Sequence, residues 1–509
     1  METAPQTPTS GLPKAYEPQQ TETNIYALWE ASGFFNPDNL APDGEPFTIV
    51  LPPPNATGTL HIGHASMLAL QDLMIRYHRM KGRKTLWLPG TDHAAIATQN
   101  KVEKIMTTEN LTRQGLGREA FLARVNEFVE TSRDTIRHQI RKMGSSCDWS
   151  RECYTLDEPR SYAVRELFIR MYADKLIYRG NRIVNWCPRD TSTLADDEVD
   201  HKEIAGKLYF IKYAIKGSDE IIIVATTRPE TLPGDVAIAV NPADERYKHL
   251  IGGVALLPLD GREVPIIADD YVDPAFGTGA LKITPAHDAN DFTIGEKYHL
   301  PVIAVINDVG AITLDGLKQH NITTTQLEQY AGLDRAVARE QIIADLMQAG
   351  KVEKIEDYTH SVGICYRCKT MIEPLISLQW FVDVNKKIPG RDASLKELAH
   401  AAVSSEAIQI IPNRFNNTYF KWIDNLRDWC ISRQIWFGHR IPVYYCEKTN
   451  NGCGEIIVAH ETPAKCPHCG NTTLRHDEDT LDTWFSSGMW TFSTLGWPHA
   501  MEIQKDGTT

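Results

Sequence analysis

An apolar run at residues 47–51 leads directly into three prolines, Pro52, Pro53 and Pro54, and then a glycine turn at Gly58; no other feature limits this fold as strongly. Proline has no N–H for a ladder, so the strand must stop there. Beyond the turn Ala65, Leu68, Ala69, Leu73, Tyr77 and Met80 recur at helical spacing up to Gly82, and 85–88 is a second apolar run. Strand, loop, helix and strand within 47–88 form the unit that builds a parallel nucleotide-binding sheet, since parallel neighbours need a crossover helix. The expected fold class is α/β.

Two further amphipathic helices are expected at 118–143 and 159–178, ending at Gly144 and Gly180. From 194 to 349 the pattern changes to short β-runs (208–213, 221–225, 254–257, 264–267, 301–305) broken by Gly and Pro, with helical stretches between. That segment reads as a mixed α/β domain inserted into the first, which spans 21–193 and resumes over 350–509. Residues 1–20 read as a flexible leader: METAPQTPTSGLPKAY has neither the basic start nor the apolar centre of a secretory signal, so a cytoplasmic address is expected.

With 42% hydrophobic and 23% charged residues, intrinsic disorder is excluded as the overall state. No apolar run approaches the roughly 18 residues of a membrane helix, so no membrane partner is expected. The 53 basic and 66 acidic residues leave a net charge of -13, so any RNA contact must be local. Arg133, Arg137 and Arg141, four apart on one helix, offer such a stripe; a solvated helix face is the rival reading.

PPPNATGTLHIGHA ends the strand and opens the helix, where free N–H groups and the positive end of the helix dipole favour a phosphate. His61 and His64 flank Gly63 there, two donors for negative charge that builds up during displacement, and composition alone would produce this string well under once. Ten cysteines are too few for a disulfide framework. Cys446, Cys453, Cys466 and Cys469 offer four thiolates to a structural zinc, with His468 as an alternative ligand. A second zinc site could join Cys187, Cys365 and Cys368, with Asp190 as the fourth ligand. Full protein ligation leaves neither ion an open position for catalysis.

The HIGH string preceded by PNATG resembles the first signature of class I aminoacyl-tRNA synthetases. PGTDHAAIATQ, TTRPET, GTGALKITPAHDANDF, IEPLISLQWFV, DWCISRQIWFGHRIP and DEDTLDTWFSSG are similar to the valine branch of that family, over a stretch from about residue 20 to the end. The tryptophan-containing block is shared in outline with the isoleucine and leucine branches, whereas Thr91, Asp92 and His93 after Gly90 favour valine; Ala95 stands where the family has glycine. The resemblance implies a Rossmann-type sheet interrupted by an editing domain, and ATP-dependent ligation of valine to tRNA(Val) through valyl-adenylate, with ATP and Mg2+ bound at His61, Gly63 and His64. Asp92, by type either an Asx-turn residue or a carboxylate for an ammonium group, becomes the amino-acid ligand, with Pro53 and Trp484 as pocket walls.

An apolar pocket rejects threonine against valine by only about a hundredfold, a figure that belongs to the valine enzymes themselves. A second, hydrolytic site for mischarged threonyl-tRNA is therefore expected in 194–349. The resemblance carries Arg228, Phe276, Lys282, Thr284, Asp288 and Asp291 to it, with Asp291 for the substrate amine. By residue type, Asp288 and Asp291 share a helix face, Arg228 and Lys282 are cations for a terminal phosphate or developing charge, and no nucleophile triad stands out, so a positioned water is the expected attacker. A monomer is expected. The rival functions are an isoleucine- or leucine-type ligase and a non-catalytic, zinc-stabilised RNA-binding protein. No Lys-Met-Ser-Lys-Ser string, the second family signature, occurs between Met1 and Thr509. The expectation is an amino-terminal part of a longer enzyme, unable to make adenylate alone but able to hydrolyse threonyl-tRNA weakly.

Overall fold

The computed structural model describes residues 15–323 and 325–499. Most of the expected leader lies outside the described residues, and its last three positions belong to the helix Pro18–Ala31, which a proline can open because its missing N–H would be unpaired there anyway. The chain divides into two compact units, one made of residues up to Leu167 with 435–440 and the segment from 482 on, the other of 168–434 and 441–481.

In the first unit Pro46–Thr48 pairs in parallel with Lys84–Leu86, Phe47 opposite Thr85, and the helix Ile62–Met80 crosses between them. The parallel arrangement continues past the prolines, with Asn55 opposite Asp92 and Gly90–Thr91 beside Cys153–Tyr154. Leu51, Leu68, Ile75, Trp87, Ile136, Ile140 and Cys147 form the core between this sheet and its helices. Gly90 has no alternative: a Cβ there would stand 2.3 Å from Cη2 of Trp490.

The helix expected over 118–143 is Arg118–Lys142. The one expected over 159–178 is Glu158–Ala173, ending early: Lys175 takes φ +58°, and Gly180, read as a helix stop, lies inside the strand Ile177–Cys187 opposite Gln379.

The second unit is built on a seven-stranded mixed sheet in the order Ala280–Ile283, Ala237–Val240, Glu263–Ala268, Val254–Leu256, Val199–Ile215, Val352–Cys365, with Ile221–Thr226 also against Val199–Ile215. Only Ala237–Val240 with Glu263–Ala268 is parallel. Four of the five expected β-runs lie in this sheet. The fifth, 301–305, does not, because the Val305 N–H is taken at 2.9 Å by Nε2 of His287 and not by a neighbouring strand.

The boundaries drawn at 194 and 349 do not coincide with the division into units. Val199–Ile215 and Val352–Cys365 pair along a ribbon from Ile211 to Val199, and Ile177–Cys187 pairs with Glu373–Val382, so continuous hydrogen bonding carries the unit outward past both lines. A small sheet of Ile456–Val458, Val443–Tyr445 and Arg475–His476 supports the cysteine segment. Among the described residues no helix is long and apolar enough to cross a membrane.

Candidate functional site

The loop after the prolines is shaped by its two histidines. His61 caps the helix Ile62–Met80, its Nδ1 accepting from the Gly63 N–H at 3.0 Å, while Nδ1 of His64 accepts from the His61 N–H at 3.3 Å. A neutral ring whose Nδ1 accepts carries its proton on Nε2, so each imidazole keeps one donor at the helix N-terminus. Partial burial, then the neighbouring His61, hold His64 below the usual histidine range, which favours the neutral donor. A Cβ on Gly63 would approach Cε1 of His61 to 2.9 Å and push the capping ring aside. Gln139 fixes the loop from the helix Arg118–Lys142, accepting from the Leu60 N–H at 2.8 Å.

Asp92 follows the strand Gly90–Thr91 and is pinned to the proline loop: its N–H donates to Pro54 O at 2.9 Å, and its carbonyl accepts from Ala56 N–H at 2.8 Å. The Asx-turn reading holds for this side chain, whose Oδ1 bonds the backbone two residues on. Oδ1 accepts from the Ala94 N–H at 3.0 Å and the Thr155 hydroxyl at 3.1 Å, with His93 Nδ1 at 3.2 Å, while Oδ2 accepts from Ser487 at 2.6 Å. Burial pushes this carboxyl up, but the bonds from His93, the Ala94 N–H and Ser487 outweigh it and hold Asp92 below its ordinary value. The chain behind it turns through two left-handed residues, Ala94 at φ +51° and Ala95 at φ +25°, which explains why a glycine suits position 95.

Ser487 comes from the short helix Thr483–Ser487, which also carries Trp484. Trp484 is 60% exposed, so it is not a core aromatic, and Pro53 is half-buried on the loop. Sequence reasoning missed Thr155, His93 and Ser487 as supports of Asp92. Ser487 sits inside the string DEDTLDTWFSSG, a signal that points to it; Thr155 has none.

The arginine stripe is corrected by the structure. Arg133 pairs with Glu130 at 2.6 Å, Arg137 with Glu152 at 2.6 Å and Asp134 at 2.7 Å, and Arg141 reaches Glu30 at 3.2 Å while lying 3.7 Å over the Trp149 ring. Its charge is matched within the protein.

In the second unit Lys282, Thr284 and Asp291 come together in one buried cluster. Nζ of Lys282 donates to Asp235 at 2.8 Å, Thr231 at 2.9 Å and Thr284 at 2.5 Å, and the Thr284 N–H donates to Asp291 Oδ2 at 2.8 Å. Burial, then the Asp288 charge, raise Asp291 to about 7 against the pull of Lys282. Asp288 is exposed and caps the helix Ala289–Tyr298, accepting from the Asn290 and Asp291 N–H groups, so the two carboxylates have different environments and not one shared face. Arg228 bonds the buried Glu373, lies 3.2 Å from Glu230 and donates to His287 O at 2.9 Å; Arg335 and Arg339 complete the same ion network. Arg228 and Lys282 are thus both ion-paired to buried carboxylates, although Arg228, Arg335 and Arg339 share only two of these, Glu230 and Glu373. Phe276 is exposed near Tyr358, ring centroids 6.5 Å apart, and makes no bond to the cluster.

The family profile for tRNA synthetases class I (I, L, M and V) matches residues 24–507. The chain belongs to this family. It is 51% identical to the valine–tRNA ligase of Thermotoga maritima over 97% of this chain and 54% of that protein, and 50% identical to that of Clostridium perfringens over 95% and 52%. It thus spans about half the length of the curated relatives it matches. A solved ternary complex of Agrobacterium radiobacter K84 agnB2 LeuRS with tRNA and LeuAMS aligns at a TM-score of 0.45 and 20% identity, covering 94% of this chain and 60% of that one.

Two ligand clusters accompany the class I synthetase fold. Sulfur atoms of Cys446, Cys453, Cys466 and Cys469 lie within 4.8 Å of one another, with Cys446 to Cys469 at 3.5 Å and Cys453 to Cys466 at 3.7 Å. Tetrahedral zinc at about 2.3 Å from each sulfur requires sulfurs about 3.8 Å apart, so this set fits. His468 is exposed and outside the cluster. Cys187, Cys365, Cys368 and Asp190 also converge within 4.8 Å, Cys187 to Cys368 at 3.4 Å and Cys365 to Asp190 at 3.6 Å. Arg367 lies against this second set, 3.2 Å from Asp190, and offsets its negative charge.

Proposed function

We propose that this chain supplies the amino-acid pocket, the nucleotide loop and an editing pocket for ATP-dependent ligation of valine to tRNA(Val) through valyl-adenylate. Asp92 carries the reading: a buried carboxylate kept ionised by its donors and pinned to the loop that bears His61 and His64. An ammonium group finds its charged partner on Oδ2, the oxygen with the single protein donor, while Pro53 and Trp484 supply rigid apolar surface to limit side-chain size. The Nε2–H groups of His61 and His64, with the helix N-terminus, stabilise phosphate oxygens as charge grows during displacement. ATP enters with Mg2+ as its counter-ion.

The Lys282, Thr284 and Asp291 cluster is read as a hydrolytic pocket that clears threonyl-tRNA, with Asp291 for the substrate amine and water as the attacking group. Lys282 and Arg228 act there by holding Thr284, Asp235, Glu230 and Glu373 in place. Two structural zinc ions fit the cysteine sets. The second would tie distant parts of the chain together through bound thiolates, Cys187 with Cys368 being 181 residues apart.

The test is amino-acid-dependent ATP–pyrophosphate exchange by the whole protein, with threonyl-tRNA hydrolysis measured on the 509-residue chain. Exchange that responds to valine is expected; exchange that responds instead to isoleucine or leucine, or RNA binding with no turnover, would overturn the assignment. Metal analysis should find two zinc ions per chain and one after Cys466→Ser with Cys469→Ser.

A further inference from the structure

The second unit holds a cavity of about 720 Å³, within the size range of ligand sites. Four cations line it, Lys175, Arg179, Arg182 and Lys386, together with Tyr172 and Tyr178. All four are exposed, in a chain whose net charge is -13. Among the described residues neither Lys175 nor Arg179 forms an ion pair, in contrast to Arg133, Arg137, Arg228 and Lys282. Arg182 shares its charge with Glu296 at 3.2 Å, and Lys386 donates to the Lys175 carbonyl at 3.1 Å.

The two carboxylates in the lining are already engaged. Asp428 accepts from the Tyr178 hydroxyl at 2.6 Å, and Asp383 accepts from the N–H groups of Asn385 and Lys386 at 3.1 and 2.9 Å. Tyr178 is stacked on Phe381, planes 21° apart, so one ring face is covered, and Arg179 is held 4.9 Å over the Tyr445 ring. No glycine-rich turn lines the cavity, so it lacks the backbone N–H cradle of a terminal-phosphate site. Exposed cations beside half-buried aromatic rings suit a backbone that passes through, with charge neutralised phosphate by phosphate.

We infer that this cavity seats a phosphodiester segment of RNA, an inference that rests on the reading of the chain as part of a tRNA ligase. Its test is the binding of a fluorescently labelled tRNA transcript to the 509-residue chain, by anisotropy, between about 50 and 200 mM salt. In the triple variant Lys175→Gln, Arg179→Gln, Lys386→Gln, affinity should fall at least tenfold, and the slope of log affinity against log salt should flatten by about two to three.

A charge-matched control, Lys207→Gln, Lys248→Gln, Lys354→Gln, removes cations that are ion-paired to Asp357, Glu245 and Glu356, and should change the slope by less than one. An unchanged slope in the first variant, or an equal change in the control, would overturn the inference while leaving the ligase reading untouched. So would displacement of the transcript by AMP at an affinity equal to that of RNA, which would assign the cavity to a free nucleotide. Failure of valine-dependent exchange with this slope change intact would remove the ligase reading instead.

Discussion

Asp92 in the first unit and Asp291 in the second are both almost fully buried and both assigned to an amine, yet their carboxyls are held in opposite directions. Burial pushes each one up; the difference is in the donors. Asp92 accepts from two hydroxyls and a backbone N–H and lies beside His93. Asp291 accepts from the Thr284 N–H, faces the charges of Asp288 and Asp235, and is drawn down by Lys282, whose hydrogen bond goes to Asp235. A carboxylate supplied with donors stays charged, as the ammonium partner proposed for Asp92 requires. If Asp291 takes the amine proposed for it, a carboxyl at about 7 would lose its proton on binding, and amine binding would be coupled to proton release.

The largest effect that separates the two sites is expected for Asp92→Asn. Removing the charged partner of a buried ammonium costs about 3 to 5 kcal/mol, so valine-dependent exchange should fall by about 10² to 5 × 10³-fold while the KM for ATP stays within twofold. An equal loss for both substrates would remove Asp92 from the amino-acid pocket. The next effect is on stability. Between the free value of 3.8 and about 7 the folded chain keeps a proton on Asp291 that the unfolded chain has released, so stability falls as pH rises through that window and levels off above it. The loss between pH 5 and pH 8 is about 2 to 3 kcal/mol, and Asp291→Asn, which still accepts from Thr284, should abolish it in urea titrations. Parallel curves for the two proteins would show that Asp291 is ionised throughout.

Asp291→Ala should slow threonyl-tRNA hydrolysis by about 10 to 100-fold, the share of a single charge-assisted contact, and leave valine-dependent exchange unchanged. A drop in exchange instead would mean that the two aspartates do not serve separate sites. The smallest effect lies just behind Asp92. Ala95→Gly relieves a left-handed alanine at φ +25° but adds freedom to the unfolded chain, for a net gain of about 0.5 kcal/mol in thermal unfolding. A loss of stability would show that this turn is unstrained.

The two regions also differ in how far they are legible. The strand, proline loop and helix over 47–88 can be read from the residues because their signals are local: prolines end a strand, helical spacing needs one window, and a glycine closes it. Gly180 misleads for the same reason, since nothing near it reveals that Gln379 pairs with it across the sheet. The run at 301–305 fails as a strand where a side chain, His287, replaces a neighbouring strand as hydrogen-bond partner. The convergence of the cysteine sets and Asp190 is legible because a group able to hold a metal restricts residue type and spacing more tightly than packing does.

From its sequence alone this chain declares an α/β fold, a helix N-terminus bearing His61, Gly63 and His64, and two groups of residues of the kind that can hold a metal. Those features depend on residue type and short-range order. Which charges are free is a different kind of property, because a long side chain finds whichever carboxylate the fold brings within about 4 Å. Only the tertiary structure spent Arg133, Arg137, Arg228 and Lys282 on internal partners, left Lys175 and Arg179 in a cavity without an ion pair among the described residues, and surrounded Asp92 with donors from residues 93, 94, 155 and 487 while leaving Asp291 at about 7.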